Sequence, residues 1–387
     1  MKQYLDLVRH VLALGTRKEN RTGVDTLSCF NFNYSHDMSQ GFPLLTTKSI
    51  SWKNIVIENL WFLSGQTDIS ILKRHGCKFW DPWADENGKV PSAYGNFWRH
   101  FPVHGSDMVE QDFDPAGPRE VPVGCYNDQI RWVLEEMRRN PMSRRMVVSA
   151  WAPGNAQTSK LPPCHCLYVF NVQMDEPGYG EDPWEAVASS HCGTEHLGVV
   201  WAKSQNEAYE KALAKFGPQP EGMPDGESID ALVVRKPMAH NEERYRKERG
   251  DKPKDPVKKL CLHLTQRSCD IALGVPYNLA GYAFLLQLFA QMSGIEVGTF
   301  GHTLIDAHIY TAKPDGTKAE FDHVPGLRQQ LQREPKALPK LIIDPAIKDL
   351  TDIEALMDPK VTTEEIMSHF TLEGYEPHPA INFKVAV

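Results

Sequence analysis

The sequence lacks the marks of several protein classes. No apolar run among its 387 residues approaches the length that spans a bilayer. The start, Met1-Lys2-Gln3-Tyr4, does not read as a signal peptide. There is no excess of positive charge: the formal net charge is −8, which argues against general nucleic-acid binding. The eight cysteines include no Cys-x-x-Cys pair and form no framework, so a reduced cytoplasmic setting fits best and a structural zinc is not expected. Gly-x-Gly-x-x-Gly, a Walker-type loop and His-Glu-x-x-His are absent. Any phosphate is therefore held by side chains rather than by a glycine nest, and no metal is expected. No internal repeat is present. Hydrophobic residues make up 41% and charged residues 24%, ordinary values for a folded globular chain.

What is present centres on Leu161-Pro162-Pro163-Cys164-His165-Cys166, which runs into the apolar strand pattern Leu167-Tyr168-Val169-Phe170. Two prolines stiffen the approach, and the thiol stands at the mouth of a strand. Upstream, Ser143-Arg144-Arg145 opens a second apolar strand. Cationic neighbours lower a thiol's pKa, so Cys164 is a candidate nucleophile, although a lone Cys beside a strand is also an ordinary core residue. The helix pattern over 51–64 carries Trp52, Ile55, Ile57, Leu60, Trp61 and Leu63, with Glu58 among them. Such a carboxylate either pairs with a base or, once buried, acquires a raised pKa suited to acid–base work.

The remaining chain reads as helix over 3–14, strand over 26–34, helix over 127–139 and strand over 260–265. A strongly apolar helix follows at 279–294, then a strand over 301–310. A polar loop spans about 102–123. Composition changes at residues 175–257, rich in Glu, Pro, Gly and Lys. They read as a small inserted α/β subdomain with strands near 197–202 and 231–235 and helices near 204–215 and 239–249. The two parts of the core, 1–174 and 258–387, flank it. Arg21, Arg144, Arg145 and Arg267 are positioned to hold a phosphate by charge-assisted bonds if they converge. Asn278 offers a donor and an acceptor side by side, suiting the amide edge of a uracil. Spacing alone stops at a cysteine nucleophile acting on a small anionic substrate.

Longer motifs go further. Pro162-Pro163-Cys164-His165, Ser143-Arg144-Arg145, Gln266-Arg267-Ser268-Cys269-Asp270 with Leu273-Gly274-Val275-Pro276-Tyr277-Asn278, Asp306-Ala307-His308-Ile309-Tyr310 and Tyr375-Glu376-Pro377-His378-Pro379-Ala380 resemble the thymidylate synthase family. The resemblance covers the chain except 175–257, the loop near 102–123 and a short insert near 311–323. It implies an α/β (α+β) fold with a large mixed sheet and flanking helices, dimerising through that sheet. It also implies one-carbon transfer from 5,10-methylenetetrahydrofolate to C5 of dUMP. By motif, Cys164 would attack the uracil, and Glu58, Tyr94 and His165 would order proton transfer. Arg21, Arg144, Arg145, Gln266, Arg267 and Ser268 would hold the nucleotide, the Arg144/Arg145 pair reaching into a partner's site. Asn278 would read the base, and His308 and Tyr310 the sugar. Asp270, Trp80, Trp83, Lys48 and the C-terminal Val387 would serve the folate side.

Asn278 favours uracil, since related dCMP hydroxymethylases carry aspartate there. Several positions depart from the family pattern: Ser92 for proline, Phe97 and Val169 for glutamines, Gly281 for serine, Ile305 for glycine, Tyr277 for phenylalanine and Phe79 for an aliphatic residue. They keep open a phage-type dUMP hydroxymethylase, in which water rather than hydride completes the reaction. A degenerate homologue acting as a binding protein is a minor alternative.

Overall fold

The computed structural model describes residues 1–20, 22–102, 126–156, 161–174, 181–190, 193–217, 231–251 and 256–386. Two compact units emerge, Met1–Gln173 with Lys258–Val387, and Met174–Val257.

The larger unit is built on a six-stranded sheet. Its strands run, edge to edge, Thr16–Lys18, Asp25–Asp37, Glu296–Thr311, Lys258–Asp270, His165–Met174 and Val147–Ser149. Lys258–Asp270 and Glu296–Thr311 pair in parallel, while Asp25–Asp37 pairs antiparallel to Glu296–Thr311, so the sheet is mixed. Alternation along the central strands sends Tyr168, Phe170, Leu260, Leu262, Leu264, Phe300 and Leu304 into the core. Against that face lies the helix Gly274–Ser293, buried along most of its length. Phe170 and Phe289 stack with ring centroids 4.8 Å apart. Beyond it, Trp52 of the helix Trp52–Ser64 meets Phe284 edge-on at 5.5 Å.

Local chemistry sets the ends of both helices. Ser51 caps the first, its side chain accepting from the Asn54 N–H, and Gly65 closes it in the left-handed conformation at φ 72°. The second begins at Gly274, five residues before the expected 279. The tight Gly274-to-Asn278 segment is its first turn rather than a loop, because proline is tolerated there and Pro276 needs no intrahelical partner for its nitrogen. Asp270 Oδ1 prepares this start by accepting the Ala272 and Leu273 N–H groups at 3.0 and 3.2 Å. The opposite face of the sheet is less covered: Phe30 is 81% exposed and Val147 40%.

The smaller unit has a three-stranded antiparallel sheet with Asp182–Ser190 at its centre, between Gly193–Ala202 and Ala231–Arg235. The helix Gln205–Phe216 buries Ala208 and Ala212 in a core of Trp184, Ala186, Val200, Ala202 and Val234. Sequence periodicity misses the central strand, because Pro183 and its small alternating residues mask the pattern. The helix Ala239–Arg249 lies where the charge pattern places it. The polar loop expected over 102–123 falls, from 103 onward, outside the described residues.

Candidate active site

Cys164 stands immediately before the strand His165–Met174. Its N–H donates to the Tyr94 hydroxyl at 3.0 Å, and its carbonyl accepts the Arg267 N–H at 2.8 Å from the neighbouring strand. Two backbone bonds thus fix the residue that carries the thiol. Arg267 reinforces the approach: its guanidinium donates to the Pro163 and Pro162 carbonyls at 3.0 and 2.8 Å. Tyr94 lies at the start of the short helix Tyr94–Arg99, whose Gly95 packs directly on Phe62. A Cβ there would come within 2.3 Å of the Phe62 carbonyl oxygen, so only glycine permits the approach that places Tyr94.

A cleft of about 520 Å³ opens in front of Cys164. Among its lining residues are Cys164, Glu58, Tyr94, His165, Gln266, Arg267, Ser268, Asp270, Asn278, His308, Tyr310, Trp80 and Trp83. The folding therefore gathers groups contributed from position 58 to position 310. Three expected residues that the structure describes do not line it. Arg144 and Arg145 are exposed and do not line the cleft, so they do not join Arg267 there within one chain. Lys48 is 3% exposed, donates to the Ala272 carbonyl and faces the Phe383 ring at 4.8 Å. Arg21 and Val387 lie outside the described residues.

Two titratable groups are driven in opposite directions by one cause. Apolar enclosure disfavours charge, pushing Glu58 up to about 7 and His165 down to about 4. The Trp80 indole N–H donates to Glu58 Oε1 at 2.7 Å and only partly offsets the rise. His165 stacks on Tyr94 at 4.5 Å with rings 6° from parallel, and Tyr282 meets it edge-on at 5.2 Å. At neutral pH the imidazole is uncharged, whereas Glu58 is poised to gain or lose a proton. Burial holds the Tyr94 phenol well above 10, so it keeps its proton while accepting from Cys164.

Asn278 is held by a relay through the sheet. Its Oδ1 accepts from Gln266 Nε2 at 3.0 Å, and Gln266 Oε1 meets His302 Nε2 at 3.1 Å. His302 Nδ1 meets the Tyr34 hydroxyl at 2.8 Å. His302 is fully buried and its pKa lies well below 6.5 through desolvation, so it stays neutral. A neutral His302 donating from Nε2 to Gln266 orients that amide so that its NH₂ faces Asn278. One amide edge of Asn278 is thereby fixed before any ligand arrives.

Sequence reasoning passed over Lys18 and Asp306. Both line the cleft, 3.1 Å apart, and Ser28 also hydrogen-bonds Asp306. Asp306 lies in a motif already singled out through His308 and Tyr310, which was the available signal. Lys18 sits in a polar loop pattern that gave none. Among the described residues no group of three or more His, Cys, Asp or Glu side chains is arranged to hold a metal. No helix among them is long and apolar enough to cross a membrane.

The mixed sheet thus presents a strand-mouth cysteine beside a half-buried carboxylate and a fixed amide in one cleft. Residues 2–185 and 244–387 match the thymidylate synthase family. The thymidylate synthase of Haloferax volcanii is 33% identical over 425 aligned residues, covering 98% of this chain and 95% of that protein. The chain belongs to the thymidylate synthase family, a family of one-carbon transferases.

Proposed function

We propose that this protein transfers a one-carbon unit from 5,10-methylenetetrahydrofolate to C5 of dUMP, giving dTMP and dihydrofolate. The observation that carries this reading is the convergence of Cys164, Glu58 and the pre-oriented Asn278 on one cleft. Cys164 Sγ adds to C6 of the uracil, and C5 becomes an enolate-like carbon nucleophile. Asn278 reads the base through its side-chain amide, and Glu58, with a pKa of about 7, manages the proton inventory on the O4 side. Arg267 and Ser268 face the nucleotide phosphate, and His308 and Tyr310 the sugar.

The aromatic walls Phe79, Trp80 and Trp83, with the Asp270 carboxylate, suit a flat pterin bearing hydrogen-bond donors. When bound, the folate supplies the one-carbon unit and, in the methylating reaction, the hydride that reduces it. Methylation rather than hydroxymethylation is favoured by where the unusual residues lie. Ser92, Phe97, Val169, Gly281, Ile305 and Tyr277 do not line the cleft; Phe79 does, and its ring offers water no hydrogen bond. A water-admitting wall needs such residues at its surface.

The exposed face of the six-stranded sheet, with Phe30, Val147 and the half-buried Leu167, Val169 and Ile305, supports pairing of two chains through that face. Exposed Arg144 and Arg145 would then complete the partner's phosphate site. The deciding experiment is incubation with dUMP and methylenetetrahydrofolate, following dihydrofolate absorbance and the mass of the nucleotide product. Dihydrofolate with a methylated product is expected. A hydroxymethylated product without dihydrofolate would establish the other branch.

A further inference from the structure

Glu58 and Asn278 sit on two different helices, Trp52–Ser64 and Gly274–Ser293. The spacing of those helices must therefore be set somewhere. Next to Glu58 is Asn59, 4% exposed, and one turn beyond Asn278 is the buried Gly281. These two residues meet. A Cβ at position 281 would lie 2.8 Å from Asn59 Nδ2 and 3.4 Å from its Oδ1, the first closer than real side chains approach. The Asn59 amide cannot readily withdraw, because Nδ2 donates to the Ile55 carbonyl at 2.8 Å inside the core. A buried asparagine costs desolvation and helix propensity, and a glycine in mid-helix costs backbone entropy. Neither residue is what a helix interior would choose for its own stability.

We propose that Asn59 and Gly281 form a spacing pair that sets the separation of Glu58 from Asn278. Both are positioning residues; neither lines the cleft. The two sides are not equally tethered. Asn278 is tied to the sheet through Gln266 and His302, at 3.0 and 3.1 Å. Glu58 is held by the Trp80 indole at 2.7 Å, from a turn rather than from the sheet. Crowding at position 281 therefore displaces Glu58 and leaves the base-reading edge in place. Proton management suffers and nucleotide affinity does not. Tyr282, which follows Gly281 and meets His165 edge-on at 5.2 Å, stays with the Asn278 side.

This inference rests on the proposed roles of Glu58 and Asn278, and its test separates the two. Gly281→Ala, Asn59→Ala and the double variant are compared with wild type for kcat, for dUMP Kd by calorimetry and for the pH profile of kcat. Gly281→Ala is expected to lose about 10- to 100-fold in kcat, the scale of a sub-ångström misplacement of a reacting group. Its dUMP Kd should stay within about threefold, and the limb of the pH profile that reports Glu58 should shift. Asn59→Ala should lose about fivefold or more in kcat, and the double variant should recover most of the loss as the new methyl fills the vacated space. Wild-type kcat in Gly281→Ala, no recovery in the double variant, or an equal loss in dUMP affinity overturns the pair. If Gly281→Ala does not fold, Asn59→Ala carries the test, and an unchanged kcat there overturns it. A wild-type chain that turns over no dUMP overturns the underlying reading, and the pair with it.

Discussion

The two units of this chain spend polar groups in opposite ways. In the larger unit, Tyr34, His302, Gln266 and Asn278 form a neutral relay whose two central members are almost wholly buried. In the smaller unit, polar groups are spent mostly on ion pairs with an exposed partner: Lys211 to Glu181 at 2.8 Å, Arg249 to Glu181 at 2.9 Å and Lys236 to Asp182 at 2.5 Å. Buried neutral bonds resist salt and fix orientation, because leaving either partner unmatched costs the full desolvation penalty. Exposed ion pairs are worth little each and are screened by salt. Geometry around the cleft is held by the first kind of bond; the inserted unit relies mostly on the second, apart from the buried Arg246 between Asp182 and Glu242.

The largest expected effect tests what the relay serves. Cys164→Ser should lower turnover by three or more orders of magnitude while dUMP binding, measured by calorimetry, stays largely intact. A variant that still turned over would remove the nucleophile from this cleft. Next, His302→Phe strips the relay of its centre and orphans Gln266 Oε1 and the Tyr34 hydroxyl. It should cost about 2–6 kcal/mol in denaturant unfolding, about 1–3 for each orphaned group, and weaken dUMP binding. Unchanged binding would mean that Asn278 does not need the relay.

Glu58 gives a pH test. Its folded pKa, about 7, lies above its ordinary value of 4.5. Its contribution to stability is complete below about pH 4.5 and is lost as pH rises through 7. Glu58→Gln should therefore be more stable than wild type at pH 8, by about 1–3 kcal/mol, and no more stable at pH 4. A gap that does not change with pH would contradict the burial account. The smallest effect belongs to the inserted unit: Lys211→Ala should leave the denaturant midpoint almost unchanged, and the small difference should vanish at high salt. Replacing residues 175–257 with a short turn should leave a folded, dUMP-binding protein. An unfolded product would erase the contrast between the units.

Much of this was legible in the chain. Prolines before Cys164 and an apolar strand after it locate the proposed nucleophile, since strand patterning and turn chemistry are local properties. Glu58 was legible as an oddity in an apolar helix. Helix ends were less so: Pro276 reads as a break from the sequence, whereas Asp270 caps the turn ahead and makes it a beginning. The strand Asp182–Ser190 escaped because its pairing is held by neighbours on both sides rather than by its own alternation.

By itself the sequence determined the family to which the chain belongs and which residues are candidates for its chemistry, because motifs of reactive side chains are read in linear order. Only the tertiary structure decided their states. Glu58 is raised and His165 lowered by enclosure, which depends on what other segments pack around them. The orientation of Asn278 is decided three side chains away, at Tyr34, on a strand far earlier in the chain. Lys48, which the family resemblance assigns to the folate side, is buried and faces Phe383 from the far end of the chain. Burial and hydrogen-bond partnership are properties of contacts between segments, and no local pattern encodes them.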